Sequence, residues 1–166
     1  MPEKQTIERA HEAEHEGKAP TTQAGEFVRE EIHHVREGKH GVRSTKQAIA
    51  IGLSKARRAG VKLPPPEKGT TSATTRRKAA SDLRKGKTGA RRKPAATRSR
   101  AIHRALEREG RSPASAEALA AQARASARRR PAAERSAAAK KAVRTKGPVA
   151  RSTAARKAAR TRARSR

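Results

Sequence analysis

The chain has 166 residues and a formal net charge of +28 at pH 7. The charge is uneven: residues 1–40 carry nine acidic and six basic side chains, whereas residues 41–166 carry six acidic and thirty-seven basic ones. With no Cys and no stretch near the roughly 18 apolar residues of a membrane-spanning helix, we expect no disulfide, no thiolate metal site and a cytoplasmic protein.

Large apolar side chains are scarce. Leu, Ile, Val, Phe and Met together number eighteen, and twelve of them precede residue 64. This scarcity, combined with high net charge, is typical of mostly disordered proteins. The thirty-six alanines favour helix but bury little area each. We therefore predict a mostly α fold class, with a short N-terminal helical hairpin and a long, largely disordered basic tail with transient helices.

Residues 1–24 form an acidic, histidine-containing segment with weak helical character. His11-Glu12-Ala13-Glu14-His15 matches the H-E-x-x-H pattern of zinc proteases. That chemistry needs a third fixed ligand and a rigid, dry pocket, and this helix offers one sizeable apolar residue, Ile7, after the initial Met. We predict no catalytic residue and no metal site. Whether His11 and His15 bind a metal adventitiously, helped by His33, His34 and His40, is left open.

Residues 25–63 are predicted to form the hairpin, because apolar side chains recur at i, i+4, i+7 in two stretches. These are Val28, Ile32 and Val35, with Phe27 beside them, and then Ile49, Leu53 and Ala56. Ser44 and Gln47 suit a capping box, and Gly60 followed by Val61 suits a Schellman end. The connection of about six residues and the missing third helix disfavour a DNA-reading helix-turn-helix. The core is thin, so its stability without a partner is left open.

Residues 64–98 are predicted to be a linker. Pro64-Pro65-Pro66 forces an extended segment, and Leu83 is the one large apolar residue between these prolines and residue 98. Gly86-Lys87-Thr88 matches the end of a phosphate-binding loop. The position of that loop's first glycine holds Ser81, however, and no apolar strand precedes it, so the match fails.

Residues 99–166 form the basic tail, in which short alanine-rich helices are expected to fray. Residues 136–146 are repeated by chemical type, with one exception, at residues 152–162. Wound as a helix, each copy places cations on one side. We interpret the repeat as a unit that contacts phosphates twice, and a random low-complexity charge run is the alternative.

The positive excess favours a polyanion, because phosphates neutralise these charges and release counterions. Without Trp or Tyr, and with one Phe, stacking on unpaired bases is largely unavailable. The predicted partner is therefore duplex DNA, with RNA as a second candidate. We predict no enzyme activity, no cofactor, no membrane partner and no small-molecule substrate. The predicted nucleic-acid-binding residues are Arg43, Lys46, Lys55, Arg57, Arg58, Arg128, Arg129, Arg130, Lys140, Lys141, Arg144, Arg156, Lys157, Arg160, Arg162 and Arg164.

Residues 25–41 and 43–60 resemble a family of small basic bacterial proteins of uncharacterised function. The string KQAIAIGLSKARRAG at residues 46–60 is the specific part. The resemblance covers about a quarter of the chain and implies a bacterial cytosolic protein, sometimes labelled DNA-binding, without catalytic residues. The Ala/Lys/Arg/Pro tail is similar to linker-histone and bacterial histone-like tails. It has more Arg than Lys and no winged-helix domain, so a nucleosome-like role does not carry over.

The predicted function is non-sequence-specific duplex DNA binding, nucleoid-associated or histone-like, through phosphate contacts of the tail. One alternative is a binder of structured RNA or the ribosome. Another is a hairpin that docks an unknown protein partner through Phe27, Ile32, Ile49 and Leu53, with the tail as a polyanion anchor. Sequence preference and oligomeric state are left open.

Overall fold

The computed structural model describes residues 2–89 and 95–164, without the side chain of Lys146. Within these residues the chain forms seven α-helices and one short 3-10 helix, and no strand. They are α1 (Lys4–His15), α2 (Pro20–Arg36), α3 (Thr45–Arg58), α4 (Ala73–Thr88), α5 (Ala96–Glu107), the 3-10 helix Ser112–Ala114, α6 (Ala116–Arg129) and α7 (Ala132–Arg164). The chain divides into two compact units, residues 1–122 and residues 123–166.

The predicted fold class, a hairpin followed by a long and largely disordered tail, is wrong. Helices continue through the described residues as far as Arg164. The error came from equating scarce large apolar residues with disorder, although alanine has the highest helix propensity and needs little burial to form helix. The predicted linker contains α4, and its residues 90–94 lie outside the described residues, as do the last two residues of the tail.

Residues 1–122 are built on the antiparallel pair of α2 and α3. α2 begins at Pro20, five residues before the predicted hairpin, with this proline in the first turn where its missing N–H costs nothing. At the start of α3 the Ser44 hydroxyl accepts a hydrogen bond from the Gln47 N–H at 3.2 Å, which confirms the predicted N-cap. The Gln47 side chain accepts from the Arg43 N–H at 3.0 Å, so the reciprocal bond of the predicted capping box goes to the preceding residue. At its end Gly60 has φ 104° and the Val61 N–H donates to the Ala56 carbonyl at 3.1 Å, which confirms the predicted Schellman end.

The core has two apolar clusters, one toward each end of this helix pair. In the first, Phe27 packs with Ala10, Ala24, Ala56, Val61 and Leu63. In the second, Ile32 and Val35 pack with Val42, Ala48 and Ala114. The chain thus supplements its few large apolar residues with alanines from α1, α3 and the distant 3-10 helix. A core of small side chains is possible only where backbones approach closely.

The buried stripe of α3 differs in part from the predicted one. Ala48, Gly52 and Ala56 face α2 and are buried, whereas Ile49 and Leu53 are only half-buried on the flank. A Cβ atom added at Gly52 would lie 2.6 Å from the Cα of Val28, so no large side chain fits between the helices. The spacing of apolar residues predicted the helix correctly. The small size of Ala48, Gly52 and Ala56 determines that their face of the helix is the buried one.

α4 docks on α3 mainly through polar and small residues. The buried Asp82 accepts a hydrogen bond from the Ser54 hydroxyl at 2.6 Å and another from Arg58 Nε at 2.7 Å. At Gly86 an added Cβ atom would lie 1.9 Å from the Arg57 carbonyl oxygen. The sequence signals for α4 were therefore an acidic residue and a glycine rather than an apolar stripe.

The segment after α5, which is distant in sequence from α2 and α3, closes the second apolar cluster. The Thr45 hydroxyl donates to the Pro113 carbonyl at 2.7 Å, and Arg36 Nε donates to the Ala114 carbonyl at 2.8 Å. The loop between α2 and α3 also takes part, because the Val42 N–H donates to the Gly110 carbonyl at 3.0 Å. Ala114 is fully buried as a result. Residues predicted as tail therefore belong to the folded unit.

Residues 123–166 contain the end of α6 and all of α7. Nearly every described side chain here is exposed. Gly147 interrupts α7 with φ 65° and ψ 172°, and Pro148 follows it. The ring of a proline disfavours the helical conformation of the residue before it, so the kink has a local cause. Both copies of the repeat are helical, one on each side of this kink.

Candidate nucleic-acid interface

The second unit presents two basic helical faces. Before the kink, Lys140, Lys141 and Arg144 are exposed on α7 within an arc of about 100°, since each residue turns the helix by about 100°. After the kink, Arg156, Lys157, Arg160 and Arg164 are exposed in the equivalent arc. Each face lies on one copy of the repeat, with Arg164 just beyond the second copy, so both copies can offer cations to phosphates. Arg162 is exposed outside that arc.

The kink decides how these two faces are related. The copies are sixteen residues apart, and an uninterrupted helix would turn the second face by about 160° relative to the first. The two faces would then point to nearly opposite sides of one rod. The non-helical Gly147 releases the copies from that constraint.

The end of α6 adds three further predicted residues. Arg128 and Arg129 occupy the last turn and Arg130 follows it, all of them exposed. Cations at a helix C-terminus are favoured by the helix dipole, so these arginines support the helix end as well as any bound anion.

Three predicted cations of the first unit lie at its surface. Lys46 is exposed in the first turn of α3. Arg43 is 82% exposed but pairs with Glu109 at 3.2 Å, and Arg58 is 58% exposed but pairs with Asp82 at 2.7 Å. An anion would have to compete with these carboxylates for both arginines.

Two predicted residues, Lys55 and Arg57, must be removed from the interface. Lys55 Nζ lies 2.7 Å from Glu31 and 3.3 Å from Glu30, whose carboxylates are buried. Arg57 is buried, and its guanidinium donates to the carbonyls of Leu63 and Pro64. Burial lowers the pKa of Arg57, partly opposed by the charge of Asp82. The basic appearance of the α3 sequence therefore overstates its basic surface.

The sequence reasoning missed a basic strip on α4. Arg76, Arg77, Arg84 and Lys87 are all exposed, and Arg77 and Arg84 fall on the side of the helix away from the residues packed on α3. The available signals were Ser72, whose hydroxyl accepts from the Thr75 N–H at 3.2 Å, and Gly89 in the left-handed region with φ 63°. Both are ordinary helix boundaries.

A second polar arrangement is internal. Glu31 on α2, His34 one turn later and His40 in the following loop offer three ligand atoms within 4.8 Å of one another. His34 Nε2 lies 2.9 Å from Glu3 Oε1, and this hydrogen bond together with Lys39 holds the pKa of Glu3 below its usual range. His11 and His15 are exposed on α1 and are not part of this group. In the described part of the chain, none of the helices combines the length and the apolar character needed to cross a bilayer.

Comparison with known proteins adds one match. The family described as "Family of unknown function (DUF6496)" matches residues 21–69, which hold most of α2, all of α3 and the proline segment. This is less than a third of the chain, and it agrees with the resemblance of the hairpin to an uncharacterised family. No curated protein and no solved structure matches the chain.

Proposed function

We propose that this protein binds duplex DNA without sequence specificity, through phosphate contacts of the exposed basic residues in residues 123–166. A nucleoid-associated, histone-like role is the cellular function that such binding supports. The observation that carries the proposal is the charge of this unit, which holds sixteen basic residues and one acidic residue, Glu134. Charge pairing within the unit cannot neutralise such an excess, whereas a phosphate backbone can.

The shape of the unit favours phosphates over bases. Its cations project from helices whose sides are exposed nearly all round, and long flexible Lys and Arg side chains can reach phosphates without a fixed orientation. The single Phe of the chain is buried in the core of the first unit and is 1% exposed. Without exposed Trp, Tyr or Phe, stacking on single-stranded bases contributes little, so duplex backbones are the better partner.

The same burial argues against the hairpin as a docking surface for another protein. Phe27 and Ile32 are 1% and 6% exposed because they pack inside the first unit. Two of the four side chains expected to dock a partner are therefore occupied by this chain itself. The proposed binding of DNA by residues 123–166 does not depend on such docking.

The proposal is tested by the salt dependence of binding. For the full-length protein and a duplex of random sequence, about 8–10 simultaneous phosphate contacts predict a slope of log K against log salt of roughly −7 to −9. The triple variant Lys140→Gln, Lys141→Gln, Arg144→Gln removes three contacts. Its slope should be shallower by about 2.7, because each contact contributes about 0.9. Fluorescence anisotropy at several salt concentrations measures both slopes.

A control with the same charge loss separates local contacts from net charge. Arg98→Gln, Arg100→Gln, Arg104→Gln removes three exposed cations from α5, and it should change the slope by less than about 1. Equal effects of the two triple variants, or a wild-type slope shallower than about −2, would contradict the proposal. Tighter binding to duplex RNA of equal length would favour the RNA alternative instead.

A further inference from the structure

Two adjacent carboxylates lie inside the first unit with too little positive charge beside them. The side chains of Glu30 and Glu31 are 2% and 1% exposed, and both contact the ammonium of Lys55. Burying an unbalanced charge is costly. Glu30 also accepts a hydrogen bond from the Glu3 N–H at 3.1 Å, so Glu31 is the carboxylate for which a further cation is most needed.

The contact between His40 and Glu31 shows where that cation belongs. His40 Nε2 lies 3.2 Å from Glu31 Oε1, while the other ring nitrogen, Nδ1, lies 3.1 Å from the Gly41 carbonyl oxygen. A carbonyl only accepts, so Nδ1 carries the proton that it donates. In the neutral ring Nε2 then presents a lone pair to a carboxylate oxygen, and either a second proton or a metal ion must lie between them.

Glu31 also has unused hydrogen-bonding capacity. In the described part of the chain, neither of its carboxylate oxygens accepts a hydrogen bond of good geometry, although both are buried. Nearly all buried polar atoms in proteins have such a partner, so a buried carboxylate held only by ion-pair contacts to Lys55 and His40 is uncommon, and metal ligation would explain it.

We propose that Glu31, His34 and His40 bind a divalent transition-metal ion such as Zn²⁺. Their three ligand atoms lie within 4.8 Å of one another, and tetrahedral coordination at about 2.1 Å needs separations of about 3.4 Å. Small rotations of the two histidine rings supply the difference. Two imidazoles and one carboxylate suit Zn²⁺, Co²⁺ or Ni²⁺, whereas Mg²⁺ and Ca²⁺ prefer oxygen ligands alone.

The surroundings have the outer contacts that metal sites need. Glu31 can bind the ion through Oε1 while Oε2 keeps its ion pair with Lys55. The Gly41 carbonyl orients His40, and Glu3 Oε1 lies 2.9 Å from His34 Nε2, so the metal would take Nδ1 of His34, which lies 4.0 Å from Glu30 Oε1. His34 also lines a cleft between α1 and α2, which offers the ion a path from solvent.

The site would tie α2 to the loop that organises the rest of the first unit. Glu31 and His34 belong to α2, and His40 precedes Gly41, whose N–H donates to the Leu106 carbonyl at 2.9 Å. A bound metal would therefore hold the loop in the position from which it contacts the segment after α5. This role is structural and independent of the DNA-binding unit.

Titration of the untagged full-length protein with Zn²⁺ tests the proposal. The protein carries His11→Ala and His15→Ala, which remove the two exposed histidines of α1, and all further variants are made in this background. We expect one ion per chain by calorimetry, visible absorption bands of tetrahedral Co²⁺, and a rise in the midpoint of thermal unfolding with Zn²⁺. His40→Ala and His34→Ala should each weaken the affinity at least tenfold and abolish that rise. His33→Ala, which removes the exposed neighbour of His34, should change neither.

Folding of each variant is checked by circular dichroism in the absence of metal. A third variant, Glu31→Gln, replaces the remaining proposed ligand. If this variant fails to fold, the two histidine variants alone test the proposal. The proposal is overturned if the background variant binds no Zn²⁺, if His40→Ala keeps its affinity, or if His33→Ala weakens it as much as His34→Ala does. If the background variant binds no Zn²⁺, protonated histidines rather than a metal ion balance the charge of the buried Glu31.

Discussion

Gly52 sets how closely α2 and α3 approach each other. An added Cβ atom would lie 2.6 Å from Val28 Cα and 3.0 Å from the Phe27 carbonyl oxygen, both of which are backbone atoms that cannot rotate away. The close approach is what lets Ala48 and Ala56 on the same stripe reach α2 and become fully buried. In a chain with few large apolar residues, this glycine contributes to stability by permitting contact rather than by making it.

Gly52→Ala is therefore expected to lower the free energy of unfolding by about 1–3 kcal/mol, because the helices must separate to admit the methyl group. Gly25→Ala is the matched control, since Gly25 is an exposed residue of α2 with nothing within 4 Å of an added Cβ atom. Better helix propensity should make that variant more stable by about 0.5–1 kcal/mol. Urea unfolding measures both, and stabilisation by Gly52→Ala would contradict the close packing.

The residues of the proposed metal site illustrate what sequence does and does not reveal at this scale. The spacing of Glu31 and His34 is visible in the sequence, yet many exposed helices have similar pairs. Burial of Glu31 and the return of His40 to its carboxylate depend on how the loop folds back. His11 and His15 have the more recognisable spacing in the sequence, yet both are exposed in the structure.

At the scale of elements, helix boundaries were the most predictable features. Ser44 and Gly60 act as expected because caps and left-handed C′ residues depend on local backbone geometry alone. α4 was predicted as linker, since its docking depends on Asp82 and on the close approach at Gly86. Neither residue type marks a buried helix face in sequence.

The kink of α7 is an element-scale feature with a consequence for binding. Replacing both residues that cause it, as Gly147→Ala, Pro148→Ala, should give a continuous helix whose two basic faces differ in direction by about 160°. Only one face could then contact a given duplex at a time. The slope of log K against log salt should become shallower by about 2–3, while circular dichroism shows equal or greater helix content.

Thr153→Ala is the control for that experiment, because it alters neither the kink nor any charge and makes the two copies of the repeat more alike. It should leave the slope unchanged. If the kink-free variant kept the wild-type slope within about 1, the two copies would act without a defined relative direction, and the repeat would carry no geometric information.

For the whole molecule, the charge excess on which the proposed partner rests is evident from the sequence, whereas the architecture is not. The charge excess after residue 40 is a property of composition and needs no fold. The extent of the first unit depends on contacts between residues far apart in the chain, such as Arg36 Nε with the Ala114 carbonyl. Ala114 is one of thirty-six alanines, and nothing local distinguishes it from the exposed ones.

Docking of this distant segment is expected to be essential for the stability of residues 1–122. Ala114 is completely buried beside Val35 and Val42, so Ala114→Arg would place an unpaired charge and a long side chain inside the second apolar cluster. We expect the free energy of unfolding to fall by more than about 3 kcal/mol.

Ala121→Arg is the control, because it adds the same charge at an exposed position of α6 and should change the free energy of unfolding by less than about 0.5 kcal/mol. Denaturant unfolding of both full-length variants measures the difference. Equal stabilities would mean that the segment after α5 contributes nothing to the core, and that the folded unit ends with α4 after all.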